Sequence, residues 1–188
     1  MEIRPLTEAD AAAFWAVRLR AVREHPEAFG WSFDELRDTP PETVTSNFHR
    51  EWVVGGFMLG AFEGRRLVGT LGLRRSQPEK QRHKGTIRAV YVAPEVRGRG
   101  VAASLLAEAI RRARELPDLE VLELSVGVTN DRARRLYAAF GFQEYGVERW
   151  ALKVGDRYVD EALMTLRLDQ SREDVGYPGR ERAAETGA

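Results

Sequence analysis

Two units of strand, turn and helix follow one another in the second half of the chain, and this alternation constrains the fold more than any other feature. The first unit has a strand at Thr86 to Val92, a Gly-Arg-Gly turn and an apolar-periodic helix that ends before Pro117. The second has a strand at Val121 to Val126, followed by a short helix that begins after Asn130 and ends at Gly141. Helices therefore alternate with strands, and we expect an α/β domain.

Hairpin patterns lie on both sides of these units. Apolar runs on either side of the turn residue Gly64, beginning at Phe57, predict one hairpin. A second hairpin is predicted from Phe142 to Leu152 and from Tyr158 to Leu168. We expect this second hairpin to close the sheet.

The N-terminal part of the chain is predicted to be helical. Thr7 and Asp10 form an acidic variant of the capping box, which predicts a helix over Glu8 to Arg23. The stretch Glu27 to Arg50 is predicted to be a loop with an irregular second helix at Thr43 to Phe48. Its boundaries are not set by the sequence.

The chain length and the composition of the C-terminal residues limit the domain organisation. A chain of 188 residues is long enough for one ordinary domain, which we place at residues 1–168. In residues 169–188 only Val175 and Tyr177 are sizeable apolar side chains, so this segment cannot offset the entropy of ordering. We expect a disordered polar tail there.

Charge and composition exclude several classes of function. Lys plus Arg number 29 and Asp plus Glu number 29, so no net positive field favours a nucleic-acid or membrane partner. The absence of cysteine excludes disulfides, thiolate metal sites and a cysteine nucleophile. His25, His49 and His83 show no metal-ligand spacing, so we expect no metal.

The N-terminus lacks the pattern of a signal peptide, and we expect a cytoplasmic protein.

The loop from Arg97 to Gly100 is suited to binding an anion. It opens a helix, whose first N–H groups have no internal partner and lie at the positive end of the helix dipole. Gly98 and Gly100 allow the backbone to approach phosphate oxygens, and Arg97 and Arg99 can add charge-assisted hydrogen bonds.

Two ordered signatures resemble those of the GNAT superfamily of N-acetyltransferases. The pattern R-x-x-G-x-A at Arg97 to Ala102 resembles the acetyl-CoA pyrophosphate loop of that family. One strand later, the pattern N-x-x-A-x-x-L-Y at Asn130 to Tyr137 and the Gly-Phe pair that follows Phe140 match its second signature. The element order up to Leu168 is also similar, so the resemblance covers all but the tail.

The resemblance implies a fold and a cosubstrate. The fold would be a mixed, mostly antiparallel sheet with helices on both faces, in which the strands Thr86 to Val92 and Val121 to Val126 are parallel and splay apart. Acetyl-CoA would lie in that gap, and an amine acceptor would be the second substrate. The residues implied in cofactor binding are Tyr91, Val92, Arg97, Gly98, Arg99, Gly100, Val101, Ala102, Asn130 and Tyr137.

The resemblance also implies catalytic roles. Tyr137 would protonate the CoA thiolate after direct attack of the amine. A base is less evident, because the position five residues before Asn130 is Ser125, where some relatives carry glutamate. Glu123 lies on the same strand face as Ser125 and is our candidate base, acting through water, with an ion-paired surface glutamate as the alternative reading. The weak base favours a peptide α-amine or a small-molecule amine over lysine, because those amines have a lower pKa.

Alternatives remain open at this point. A catalytically weak CoA-binding sensor or scaffold is one, because the strand carboxylate is missing. A dinucleotide-binding enzyme is another, since Gly98-x-Gly100-x-x-Ala103 satisfies its fingerprint, although five residues separate the strand from the first glycine. The basic run from Arg74 to Arg88 is predicted to be solvated, with an acidic-substrate or nucleic-acid role as the alternative. A homodimer is possible.

Overall fold

The fold of the chain was analysed in a computed structural model that describes residues 1–40, 42–46 and 55–168. The predicted tail lies outside these residues, as does part of the predicted helix at Thr43 to Phe48. Within the described residues, seven strands form one sheet. The strands are β1 (Glu2–Pro5), β2 (Phe57–Glu63), β3 (Arg66–Arg75), β4 (Lys84–Val92), β5 (Val121–Gly127), β6 (Gln143–Val154) and β7 (Arg157–Arg167).

The sheet has the strand order β1-β2-β3-β4-β5-β7-β6. Every neighbouring pair is antiparallel except β4 and β5, which are parallel. The helices are α1 (Ala11–Glu24), α2 (Phe33–Leu36), α3 (Val101–Glu115) and α4 (Asp131–Ala139), and residues 42–46 are also helical. The mixed α/β fold class predicted from the sequence is confirmed, including both hairpins.

The start of α1 follows the predicted capping box. A 3₁₀ turn at Glu8–Asp10 precedes the helix, and the Thr7 backbone N–H donates to Asp10 Oδ2 at 2.7 Å. Arg4 adds two hydrogen bonds to the same carboxylate, at 2.7 and 2.9 Å. Asp10 is therefore both a helix cap and the acceptor that fixes the preceding strand.

The strand β1 was not predicted. It is four residues long, contains Pro5 and pairs with β2 at one edge of the sheet. A proline is tolerated at a sheet edge because its missing N–H is not needed by a further strand. So short a segment has too few residues to show an alternating pattern.

Helices cover both faces of the sheet. In β2, Leu59 and Ala61 belong to the same core cluster as Leu105 of α3, while Met58 lies in a second cluster with Phe14 of α1. Because successive side chains of a strand point to opposite faces, α1 and α3 cover opposite faces.

The sheet opens between β4 and β5. The two strands are paired only at Lys84, Gly85 and Thr86, which lie opposite Val121, Leu122 and Glu123. A bulge in β4 then places Ala89 at φ +52°, where the Thr70 hydroxyl donates to its carbonyl at 2.9 Å. Bulges bend a strand and increase its twist. The predicted splay of the parallel pair is thereby confirmed.

Candidate active site

A first cavity of about 360 Å³ lies beside the C-terminal half of β4. Its walls are formed by the C-terminal end of β4, the turn that follows it, the start of α3, one face of α4 and the segment from His25 to Phe29. Nine of the ten residues predicted to bind the cofactor line this cavity. They are Tyr91, Val92, Arg97, Gly98, Gly100, Val101, Ala102, Asn130 and Tyr137. We call it the cofactor cavity.

The turn before α3 has the conformation that its glycines permit. Gly98 has φ +81° and Gly100, the N-cap of α3, has φ +77°. L-residues rarely adopt such angles. A Cβ on either glycine would meet no heavy atom within 4 Å, so open space lies beside this backbone. The N–H groups at the start of α3 lack helical acceptors and can bind an anion that enters this space.

The two arginines of the turn have different surroundings. Arg97 lies along the cavity, where its Nε donates to the Val92 carbonyl at 2.9 Å and its Nη2 lies 2.9 Å from His25 Nε2. Arg99 is the one predicted cofactor residue that does not line the cavity, and its Nη1 donates to Glu63 at 2.9 Å. Arg99 is thus a rim residue, whereas Arg97 contacts the cavity wall.

A hydrogen-bond network joins the end of α1 to β4. The Tyr91 hydroxyl donates to Glu24 at 2.7 Å, and Glu24 accepts a further bond from Arg20 at 2.7 Å. Arg20 also donates to Glu95, in the turn after β4, at 2.8 Å. Burial and the neighbouring Glu24 carboxylate raise the pKa of Tyr91. The Tyr91 side chain therefore has a structural role that fixes one wall of the cofactor cavity.

A second cavity of about 490 Å³ occupies the opening between β4 and β5, on the face covered by α1. Its charged lining residues are three arginines and one glutamate: Arg18, Arg74, Arg88 and Glu161. Ser125 of β5 also lines it. We call it the acceptor cavity. Its lining also includes Arg18 of α1 and Trp31, which precedes α2.

Tyr137 lines both cavities. Its side chain is 6% exposed and packs edge to face on Phe142, with ring centroids 5.8 Å apart. Burial raises the pKa of Tyr137 to about 12, so the hydroxyl keeps its proton at neutral pH. In the structure Leu136 is only partly buried and lines the cofactor cavity, whereas Tyr137 is the buried one.

Asn130 acts as the predicted helix cap. Its side-chain oxygen accepts a hydrogen bond from the Ala133 N–H at 3.1 Å. Asn130 and Ala133 also line both cavities, together with Val90 of β4. The two cavities therefore meet around the start of α4, with Tyr137 at their junction.

Glu123, the candidate base, takes part in an ion pair. Lys84 Nζ lies 2.7 Å from Glu123 Oε1, and Glu123 lines neither cavity. Glu161 of β7 is, within the described part of the chain, the one carboxylate that lines the acceptor cavity. Sequence reasoning missed it, because Glu161 reaches this cavity only through the pairing of β7 with β5, where it lies opposite Gly127.

The described residues contain no cluster of three or more His, Asp or Glu side chains arranged to hold a metal ion. Over the same residues, no helix has the length and apolarity needed to cross a membrane.

An open mixed sheet with a glycine turn and a helix N-terminus beside the opening defines an α/β domain whose site is suited to a phosphorylated ligand. The model of the acetyltransferase (GNAT) family matches residues 19–142, which include both signatures. The chain belongs to the GNAT acetyltransferase family, and the family predicted from the sequence is confirmed.

Individual relatives agree with this assignment. The chain is 31% identical to a mycothiol acetyltransferase of Brachybacterium faecium, over 73% of this chain and 39% of that protein. It is 29% identical to a phosphinothricin N-acetyltransferase of Streptomyces coelicolor, over 86% of this chain and 93% of that protein. The chain spans about two fifths of the length of several curated relatives that it matches.

A solved structure shows the same fold. It is that of yncA from Salmonella typhimurium, described as an acetyltransferase with its cofactor acetyl-CoA. The two chains superpose with a TM-score of 0.80 at 23% identity, over 94% of this chain and 99% of the other. The dinucleotide-binding alternative has no support in this comparison.

Proposed function

We propose that this protein binds acetyl-CoA in the cofactor cavity and transfers the acetyl group to an amine in the acceptor cavity. The observation that carries the proposal is the position of Tyr137, which lines both cavities where they meet. A thioester at that junction lies beside a proton donor and in reach of an amine from the other side. Holding both substrates in this arrangement makes the reaction effectively unimolecular. In well-oriented systems this lowers the activation free energy by about 7 kcal/mol or more.

The turn before α3 would hold the pyrophosphate. Gly98 and Gly100 leave open space beside N–H groups that point away from the helix. Arg97 lies close enough to add a charge-assisted hydrogen bond if it turns from the Val92 carbonyl. The pantetheine arm would then run along the backbone of Tyr91 and Val92, where β4 has no pairing with β5.

The acetyl transfer would proceed by direct attack of the amine on the thioester. The bond from the amine nitrogen to the acetyl carbon forms, and the bond from that carbon to the CoA sulfur breaks. Tyr137 gives its proton to the departing thiolate, while the proton of the attacking amine passes to a base. The chain has no cysteine, which agrees with a route that needs no acyl-enzyme thioester.

The base that we propose is Glu161, acting directly or through water. It lines the acceptor cavity, whereas Glu123 is held by Lys84 outside it. The need for a base depends on the acceptor, because a lysine amine with a pKa near 10.4 carries a deprotonation cost of about 4.6 kcal/mol at pH 7. An α-amine with a pKa near 8 carries only about 1.4 kcal/mol. We therefore propose a peptide α-amine or a small-molecule amine as acceptor.

The proposal is tested by following CoA thiol release from acetyl-CoA with a panel of α-amino, polyamine and lysine-containing acceptors, and by calorimetric titration with acetyl-CoA. We expect tight acetyl-CoA binding and thiol release that depends on an α-amine or a small amine. Binding without release for every acceptor would instead favour the sensor or scaffold alternative. A failure to bind acetyl-CoA would overturn both.

A further inference from the structure

A third cavity, of about 830 Å³, lies beside the hairpin of β6 and β7, and the proposed reaction does not use it. Its lining comes from the segment after α1, the segment between β5 and α4, and the two hairpin strands. Ala28 and Asn130 line this cavity and also both of the others. The three cavities therefore adjoin one another, and one ligand can occupy the third cavity and reach the acceptor cavity.

Exposed aromatic side chains are concentrated at these cavities. Within the described residues, four aromatic side chains are more than half exposed, and three of them line a cavity. Trp31 lines the acceptor cavity, whereas Trp150 (69% exposed) and Tyr158 (57% exposed) line the third. Lys153 lies over one face of the Tyr158 ring, with Nζ 5.4 Å from its centre, so Trp150 is the more accessible ring. A ligand that covers an exposed indole removes a large apolar area from water.

A bulge in β6 places Trp150 at this cavity. The pairing of β6 with β7 is interrupted between Glu148 and Leu152, where three residues of β6 lie opposite the single residue Asp160. Trp150, in the middle of the bulge, has φ +55°, which is unusual for so bulky a residue. Strained backbone of this kind is concentrated at functional sites, and bulges next to active sites change the direction of a side chain.

Asp160 holds the bulge in this conformation. Its Oδ1 accepts a hydrogen bond from the Trp150 N–H at 2.8 Å, and its Oδ2 lies 3.2 Å from Arg149 Nη1. One carboxylate thus fixes two neighbouring residues of the bulge and offsets the strain at Trp150. The position of the Trp150 backbone is therefore set by β7.

The charged side chains of the third cavity are largely paired with one another. Arg149 pairs with Asp160, and His25 Nδ1 lies 3.4 Å from Glu27 Oε1. Arg157 is the remaining charged residue of the lining, and it is exposed. Paired charges offer little to an ionic ligand, whereas the two aromatic rings and three valines of the lining offer apolar surface.

From these observations we infer that the acceptor carries a bulky apolar or aromatic group, which packs on Trp150 and Tyr158 in the third cavity. The inference rests on the proposed function and specifies its substrate class. The amine would lie in the acceptor cavity near Glu161, and the apolar group would lie past Asn130. A volume of about 830 Å³ is within the range of sites that enclose small molecules, so the group can be as large as an indole. A peptide N-terminus with an apolar second residue and a small arylalkylamine share this chemistry.

The experiment measures thiol release from acetyl-CoA by the full chain with two sets of matched acceptors. One set consists of the dipeptide amides Ala-Trp, Ala-Phe, Ala-Leu and Ala-Gly, in which only the second residue changes. The other consists of 4-phenylbutylamine and butylamine. Within each set the reacting amines have nearly the same pKa, so a difference in kcat/KM reports the binding of the apolar group. We expect kcat/KM to be about tenfold or more higher for the aromatic member, because its ring leaves water on Trp150. The set with the larger ratio identifies the source as a peptide or a small amine.

Trp150 variants show whether the preference comes from the third cavity. In Trp150→Ala the ratio of kcat/KM between the aromatic acceptor and its small counterpart should fall below about threefold, mainly through a higher KM for the aromatic one. The dissociation constant of acetyl-CoA should stay the same, and Trp150→Phe should retain part of the preference. Tyr145→Ala is the matched control, because Tyr145 is an exposed aromatic residue of β6 that lines none of the three cavities. It should change none of these values.

Asp160 variants test whether the bulge positions Trp150. Asp160→Ala removes the acceptor of the Trp150 N–H and should lower the ratio as Trp150→Ala does. Asp160→Asn keeps an oxygen acceptor and should retain most of the preference. Melting temperatures of both variants serve as the control for folding. An unchanged ratio in folded Asp160→Ala would show that the bulge does not position Trp150.

The outcomes separate this inference from the proposed function. Equal kcat/KM for aromatic and small acceptors would overturn the apolar acceptor while leaving the acetyltransferase proposal standing. A preference that survives in Trp150→Ala would overturn the role of Trp150. If light scattering shows that Trp150→Ala also loses a dimer while the preference is intact, a second copy of the chain covers this surface instead. No thiol release with any amine would overturn the proposed function, and this inference with it.

Discussion

Lys84 Nζ lies 2.7 Å from Glu123 Oε1, at the end of the short stretch where β4 and β5 are still paired. The ion pair lies at the closed end of the opening and not inside the acceptor cavity. It therefore stabilises the paired end of the two strands. Within the described residues, Glu161 is the carboxylate that lines the acceptor cavity.

The first prediction compares the two carboxylates. Glu161→Gln should lower kcat/KM by about 10- to 100-fold at pH 7, because a general base contributes at least this much when the amine must lose a proton. Glu123→Gln should lower it by less than about threefold. Steady-state thiol release with one acceptor, measured from pH 6 to 9, gives both values.

The opposite order of effects would contradict this prediction. If Glu123→Gln lowers kcat/KM more than Glu161→Gln does, Glu123 acts as the base despite its ion pair. In that case Lys84→Met, which releases Glu123, should also change the pH profile. Melting temperatures of all three variants serve as the control for folding.

The second prediction concerns Tyr137. Tyr137→Phe keeps the ring and its packing on Phe142, so the fold and the acetyl-CoA affinity should hardly change. Turnover should fall by about 10²- to 10⁴-fold, because the proton donor for the CoA thiolate is removed. An acyl donor whose thiol has a lower pKa should recover part of the loss, since its thiolate leaves with less help.

The pH profile gives a second test of Tyr137. Burial raises its pKa to about 12, so the folded protein holds this proton more tightly than the unfolded chain does. The contribution to stability is complete below pH 10 and is lost as the pH rises through 12. Loss of activity through ionisation of Tyr137 should accordingly begin only above about pH 11. An alkaline loss of kcat near pH 9 that is absent in Tyr137→Phe would contradict this assignment.

The third prediction concerns the anion-binding turn. Gly100→Val should raise the dissociation constant of acetyl-CoA more than tenfold, because a side chain would stand in the space beside the helix N-terminus. Part of any effect would come from strain at φ +77°. Gly64→Val is the control for strain, since Gly64 has φ +59° and equally open surroundings in the β2–β3 turn.

Calorimetry and thermal melting separate the two effects. Both glycine variants should melt at a lower temperature, by similar amounts, while only Gly100→Val loses acetyl-CoA affinity. Equal affinity in the two variants would show that the turn before α3 is not the phosphate site.

The fourth prediction concerns stability. Asp10→Asn should lower the free energy of unfolding by about 1 to 3 kcal/mol at pH 7, because a nearly buried carboxylate loses charge-assisted bonds from Arg4 and Thr7. The Arg4 guanidinium, with the Thr7 donors, holds the pKa of Asp10 well below its usual range. Its contribution is therefore present above about pH 4 and is lost as the pH falls further.

Urea unfolding at several pH values checks this prediction. The difference between the wild type and Asp10→Asn should be largest at pH 7 and should shrink below pH 4. Asp34→Asn, at an exposed pair with Arg37, should change stability by less than about 0.5 kcal/mol. A difference for Asp10→Asn that does not depend on pH would show that the effect comes from shape and not from charge.

The sequence predicted the family, the element order apart from β1, and nine of the residues that line the cofactor cavity, because those features are local. The Gly98 to Gly100 turn and the Asn130 cap are each specified by a few neighbouring residues. Arg18 and Glu161 were missed for the opposite reason. They reach the acceptor cavity through helix docking and strand pairing, which join residues far apart in the chain.

The bulge at Ala89 could not be predicted from the sequence either. Ala89 has φ +52°, an angle that sequence reasoning assigns to glycine or asparagine. The strand is held in this form by the hydrogen bond from Thr70 and by the pairing on either side. Such a conformation is imposed by tertiary structure and cannot be inferred from the residue type.

The parting of β4 and β5 has a consequence for how the protein avoids aggregation. Beyond Thr86 and Glu123, the two strands present to each other backbone groups that lack a strand partner, which amounts to two sheet edges within one sheet. Exposed edges of this kind recruit strands from other chains. Here the two edges face each other across the opening, so a strand from another chain would have to enter the sheet between β4 and β5 to pair with either of them. The position of these edges inside the sheet thus limits edge-to-edge aggregation, as charged residues or prolines do on ordinary edge strands.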